Sequence, residues 1–325
     1  MSAELDFTTG DAGIAITYDG ETPWHGYGNR VKGNDLDEWR VAAGLDWEVV
    51  DKPIYFKAGT TDFPIYDKKV LLRDDNFGQL SVVGSDYQVV QPKEIMEFYR
   101  DLISDNGFEM ETAGSLMQGR RIWALASVGA TTRIFGQDKI DGYLLLATSY
   151  DGRMATTAKF TSVRVVCNNT LEWANYDTSY KNAVKIHHST TFDPEVVKGR
   201  LGFNKEAWEA YEANLNKLAN RTVDLETAVA FFTKVLGSDS VKHDKEGKVN
   251  YSPTFMKVFT AYENGPGSHL KSASHTAWGL VNAVTFYQDH MVKGNDQGSR
   301  LNNAWFGQGN ERKNKAWEEA LKIAA

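Results

Sequence analysis

The sequence predicts an α+β fold: an antiparallel, strand-rich N-terminal half with packed helices, followed by a mainly helical C-terminal region. Between Gly119 and Trp173 the chain reads as consecutive strands. Arg121 to Val128 alternates and is rich in aromatic and β-branched residues. Asp151-Gly152 supplies the positive backbone angle of a tight hairpin turn, so Arg153 to Thr161 returns antiparallel to the apolar run Gly142 to Thr148. Near Ser189 the pattern shifts to three-and-four spacing, opened by Asp193-Pro194, a capping residue followed by a first-turn proline.

Taken in order, residues 1–34 read as an extended N-terminal arm. PWHGYGNRV, from Pro23 to Val31, interleaves glycines and aromatics and favours a tethered loop. An α+β sheet domain is expected over 35–190. Asp35 or Asp37 caps a short helix ended by Gly44, and Trp47–Lys57, Ile65–Arg73 and Gln79–Val83 follow as strands. Gln91-Pro92 opens a helix that Asn106-Gly107 stops, and Phe108 to Thr112 is another strand. After the strands up to Cys167, Asn169 is placed to cap a helix with Glu172 reaching back.

A helical region is expected over 191–325. Leu201 to Leu218 and Leu225 to Leu236 carry helical spacing, and Ser238 to Tyr251 reads as an exposed loop. Ser252-Pro253 starts a third helix, Ser274 to Val292 makes a fourth, and Asn310 to Ala325 a fifth.

Composition narrows the function classes. A chain of 325 residues with 42% hydrophobic and 12% aromatic content is globular and large enough for one or two cores. One cysteine, Cys167, excludes an internal disulfide framework and any CxxC zinc site, and fits a reducing, cytoplasmic setting. It reads as a buried, inert thiol at a strand end. The acidic start MSAELDFTTGD has no apolar run and argues against a secretory signal, and no stretch of eighteen apolar residues is present, so no membrane partner is expected. P-loop, dinucleotide, HExxH and GxSxG patterns are absent. No catalytic residue, metal or cofactor is assigned.

Charge points elsewhere. The chain carries −7, yet Gln118 to His188 holds nine Lys/Arg against five Asp/Glu, a local balance of +4. Its hydroxyls, cations and aromatics are what a polyanion footprint needs: Arg120, Arg121, Arg153, Lys159, Arg164 and Lys185 for phosphates, Tyr150 and Phe160 for stacking. The plainer alternative is a solvated strand face whose cations pair with acids elsewhere. His187-His188 reads poorly as a metal pair, because adjacent strand residues face opposite ways. His275 and Asp289-His290 lie about four helical turns apart, too far for one compact site.

Read in order, PWHGYG, AAGLDWEV, YQVVQP, GRRIWALA, SYDG, TSVRVVCNNTL, HTAWGLVNAVTFYQDH and RLNNAWFGQGNERKNKAW resemble the phage/plasmid-like protein family, domain of unknown function 932. TSVRVVCNNTL, Thr161 to Leu171, is the most specific block. The resemblance implies mobile-element DNA and a cytoplasmic setting, and brings no catalytic residues. In that context the first expectation is a non-enzymatic, homo-oligomeric binder of single-stranded DNA, similar in role to phage annealing recombinases. The alternatives are a nucleic-acid-processing enzyme with a His/Asp site, or a structural or host-interaction protein.

Overall fold

The computed structural model describes residues 15–19, 28–164, 169–172, 183–201, 205–244, 247–293 and 297–325. The aromatic arm Pro23 to Tyr27 and Cys167 lie outside the described residues. The chain is α+β as its pattern predicts, and it forms two compact units built from interleaved segments. The first comprises Met1–Gly129, Tyr143–Phe160 and Tyr180–Gly202; the second comprises Ala130–Gly142, Thr161–Ser179 and Phe203–Ala325.

Local chemistry explains the first elements. Strands β1 (Ile16–Tyr18) and β2 (Asn29–Arg30) precede α1 (Leu36–Ala42), whose N-cap Asp35 accepts from the backbone N–H groups of Asp37 and Glu38. Strands β3 (Val49–Ala58), β4 (Thr61–Arg73) and β5 (Gln79–Gly84) form their own three-stranded antiparallel sheet. Helix α2 (Pro92–Glu97) opens with a capping box between Gln91 and Glu94, and α3 (Arg100–Asn106) ends at Gly107 with φ 68°.

A second, eight-stranded sheet follows. It contains β6 (Glu109–Leu116), β7 (Arg121–Ile134), β8 (Asp138–Ser149), β9 (Thr156–Arg164), β10 (Asn169–Glu172) and β11 (Ala183–Ile186). The order is β10-β9-β8-β7-β6-β1-β2, and β11 pairs with the first half of β9 while β10 pairs with the second. Gly152, at φ 70°, turns β8 toward β9 as its Asp-Gly sequence requires. Residues 169–172 form this strand rather than a capped helix. The free edge of β9 offers ladder hydrogen bonds from Arg164 to Thr161, and these outweigh a local capping signal. Helix α4 (Pro194–Arg200), capped by Asp193, completes the first unit.

The second unit is mainly helical: α5 (Lys205–Asn220), α6 (Leu225–Leu236), α7 (Pro253–Asn264), α8 (Ala277–Phe286), α9 (Gln297–Phe306) and α10 (Gln308–Ala324). Asp224 caps α6, and Ser252 caps α7 as its sequence predicts. The expected loop after Leu236 instead holds a small hairpin, β12 (Val241–His243) with β13 (Val249–Tyr251). Helix α8 is buried on every side from Ala277 to Thr285 and forms the axis on which α5, α7 and α10 pack. Gly279 is required there, because a Cβ would collide with the carbonyl of Ala273.

Helix α8 continues as one π turn, Tyr287–Met291, which turns Asp289 into the interior. Lys313 on α10 meets Asp289 at 2.7 Å, with the two side chains 1% and 0% exposed. Removing one partner strands a buried charge. Lys313→Met alone should lower stability in urea unfolding by about 3–5 kcal/mol, and Lys313→Met with Asp289→Leu should recover most of that loss.

Candidate nucleic-acid interface

The eight residues singled out in the basic segment separate once folded. Tyr150 is fully buried: its hydroxyl donates to Val90 O at 2.8 Å, and its ring meets Trp47 edge-on at 5.9 Å. Phe160 and Lys159 are 3% and 5% exposed. These three therefore do not form an outer stacking and phosphate-binding surface. For Lys159 and Phe160 the reason is that both faces of β9 are covered: residues 156–162 are buried without alternation, the hydroxyl-bearing side chains included. Those hydroxyls are satisfied within the protein: Thr148 and Thr156 share a hydrogen bond at 2.8 Å, Thr157 donates to Ala155 O, and Ser162 meets the Tyr211 hydroxyl at 2.6 Å.

Two of the arginines are partly withdrawn from solvent. Arg121 faces Asp151 across 3.4 Å, and Arg120 is half-buried, its carbonyl accepting from Tyr150 N. The side chain of Arg164 lies outside the described part.

Arg153 and Lys185 remain exposed. Strand β11 alternates cleanly: Val184 and Ile186 are buried, while Lys185 and the following His187 face solvent. Arg153 and His187 line one open groove of about 460 Å³ in the first unit, with Asp86, Tyr87, Met154 and His188.

The wall of that groove is rigid. The Tyr87 and His188 rings stack at 4.3 Å with planes 14° apart, and the Tyr87 hydroxyl donates to Ser149 O at 2.7 Å. Burial, then the nearby Asp151 carboxylate, hold the Tyr87 phenol well above its usual range, so it stays a neutral donor. His188 sits between two carbonyls, Nδ1 3.0 Å from Gln88 O and Nε2 3.1 Å from Met154 O, and a neutral ring donates to one of them. The main chain of Arg153 is set by its own N–H donating to the Asp151 carboxylate. The groove thus offers a fixed π-surface beside a guanidinium and an imidazole.

Sequence reasoning treated His187-His188 only as a metal pair and passed over Tyr87. The missed signal was the period-two pattern of Ala183–His187, which sends Lys185 and His187 to one face. Among the described residues no group of three or more His, Cys, Asp or Glu is placed to hold a metal.

The histidines of the helical unit sit apart from one another. His275, at φ 50°, lines an apolar cleft of about 370 Å³ with Asp224, Phe259, Tyr262 and Glu263. His290 lies against Phe286 at 4.8 Å, and Asp289 is committed to Lys313. The Asp224 carboxylate accepts from Thr227 N at the start of α6, and that hydrogen bond holds it below the usual range.

These features define an α+β protein with a polar groove on its sheet unit. Residues 79–317 match the family described as Domain of unknown function (DUF932), and the chain belongs to that family. No curated protein and no solved structure matches the chain. Among the described residues no helix is long and apolar enough to cross a membrane.

The burial of Tyr150 yields a direct check. Tyr150→Phe leaves the Val90 carbonyl without its donor while conserving the ring, so urea unfolding should show a loss of about 1–3 kcal/mol.

Proposed function

We propose that this protein binds single-stranded DNA without reading its sequence, as a non-enzymatic component of recombination or strand annealing on mobile-element DNA in the host cytoplasm. The observation that carries the reading is the groove that joins the stacked Tyr87–His188 pair to Arg153 and His187. A stacked base needs a rigid π-face, and a backbone needs cations beside it; exposed Lys185 extends the cationic side along β11. Single strands suit the groove because their bases are free to leave a helix and stack on protein. The net charge of −7 works against tight binding by one copy and favours avidity from several.

Fluorescence anisotropy with a labelled oligothymidylate at two salt concentrations tests the idea. Binding should weaken with salt by about 0.7 log units per log unit for each phosphate contact, and Arg153→Ala or Lys185→Ala should each remove about that much of the slope. His188→Ala should weaken binding by about 1–3 kcal/mol with the slope unchanged. Folded protein that fails to bind at low salt, or binds independently of salt, refutes the proposal.

A further inference from the structure

A neutral His188 ring faces two acceptors with one proton. Its Nδ1 lies 3.0 Å from Gln88 O and its Nε2 3.1 Å from Met154 O. A neutral imidazole carries a single N–H, so one of these contacts sets a ring lone pair against a carbonyl oxygen. The imidazolium carries two N–H groups and turns both contacts into hydrogen bonds, each strengthened by the charge. The three residues come from separate segments: Gln88 follows β5, Met154 follows the Gly152 turn and His188 follows β11. A charged ring therefore pins three segments of the groove wall, and its stacking on Tyr87 at 4.3 Å keeps it in place to do so.

We propose, on the single-strand reading of the groove, that His188 is its proton sensor: the ring takes up a proton as DNA binds, so binding tightens as pH falls. A phosphate near the ring favours the charged form, and by linkage the charged form favours the phosphate. The groups around the ring bear on its charge from each side. From the segment after β5 come Asp86, whose carboxylate favours the charge, and Tyr87, a phenol kept neutral by burial. From the turn come Arg153, which opposes the charge, and Asp151, which faces Arg121 at 3.4 Å. From β11 come exposed Lys185 and His187. The lysine and arginine hold their charge through the interval of about pH 5 to 8 in which imidazoles change theirs. His187 changes charge in that interval too, but among the described residues no pair of carbonyls clamps its ring. The two hydrogen bonds of a charged His188 also stabilise the fold at low pH, and that contribution fades as pH rises and the ring gives up its second proton.

Two measurements test this, one of them without DNA. In urea unfolding, the midpoint lost on His188→Phe, which keeps a ring against Tyr87, should be larger at about pH 5.5 than at about pH 8. A loss that is equal at both, or smaller at the lower pH, overturns the proposal. In anisotropy with labelled oligothymidylate, the native chain should bind roughly three- to tenfold more tightly at the lower pH, within the limit of tenfold per pH unit that one linked proton sets. His188→Phe should remove most of that gain, and His187→Gln should keep it. If His188→Phe does not fold, His188→Gln, which has an N–H donor and no titrating group, takes its place with the same outcomes. Native binding that is indifferent to pH, or a gain that is lost with His187 instead, overturns the sensor and leaves the single-strand reading standing. Folded protein that binds no oligothymidylate at either pH overturns both.

Discussion

From Tyr143 to Tyr150 every side chain is buried, so β8 requires apolar cover on both of its faces. Much of the first unit follows from meeting that requirement. Phe98 and Tyr99, between α2 and α3, are wholly buried, and the Tyr99 hydroxyl reaches the carbonyls of Ala124 at 2.7 Å and Leu144 at 3.1 Å. One side chain therefore ties the helices to two adjacent strands. At the end of the strand, Tyr150 locks to Val90 and Trp47, and Trp47 in turn carries the Arg73 guanidinium 4.4 Å from its ring centre. The turn that follows, through Gly152, is the part of β8–β9 left at the surface, and it supplies Arg153 to the groove.

The second unit depends on a different constraint, the satisfaction of charge in an apolar interior. Asp138 is fully buried and accepts from the Ser272 hydroxyl at 2.6 Å and the Trp278 indole at 3.1 Å. Asp289 meets Lys313, and Trp317 packs edge-on to Trp278 and stacks on Tyr211. A carboxylate costs too much to bury without such partners, so these contacts confine α8 and α10 to one relative placement.

The groove and the β3–β4 hairpin divide the surface chemistry of the first unit. One combines aromatic rings with the exposed Arg153 and is held by main-chain hydrogen bonds; the other exposes Tyr55, Phe56 and Phe63.

Sequence alone determined the elements whose signals are local. Asp193 and Ser252 start helices, Gly107 stops one and Gly152 turns a hairpin, because capping and positive φ depend on a few neighbouring atoms. Tertiary structure alone decided which side chains met water. Lys159 and Phe160 look like an outer face until both faces of β9 are covered, and Asn169 looks like a cap until an open strand edge offers it a ladder. Tyr55 and Phe56 belong to an apolar strand segment yet stand 56% and 53% exposed. Arg153 and His187 became neighbours only through the pairing of β11 with β9. Burial and long-range pairing are properties of the whole fold, and no window of sequence contains them.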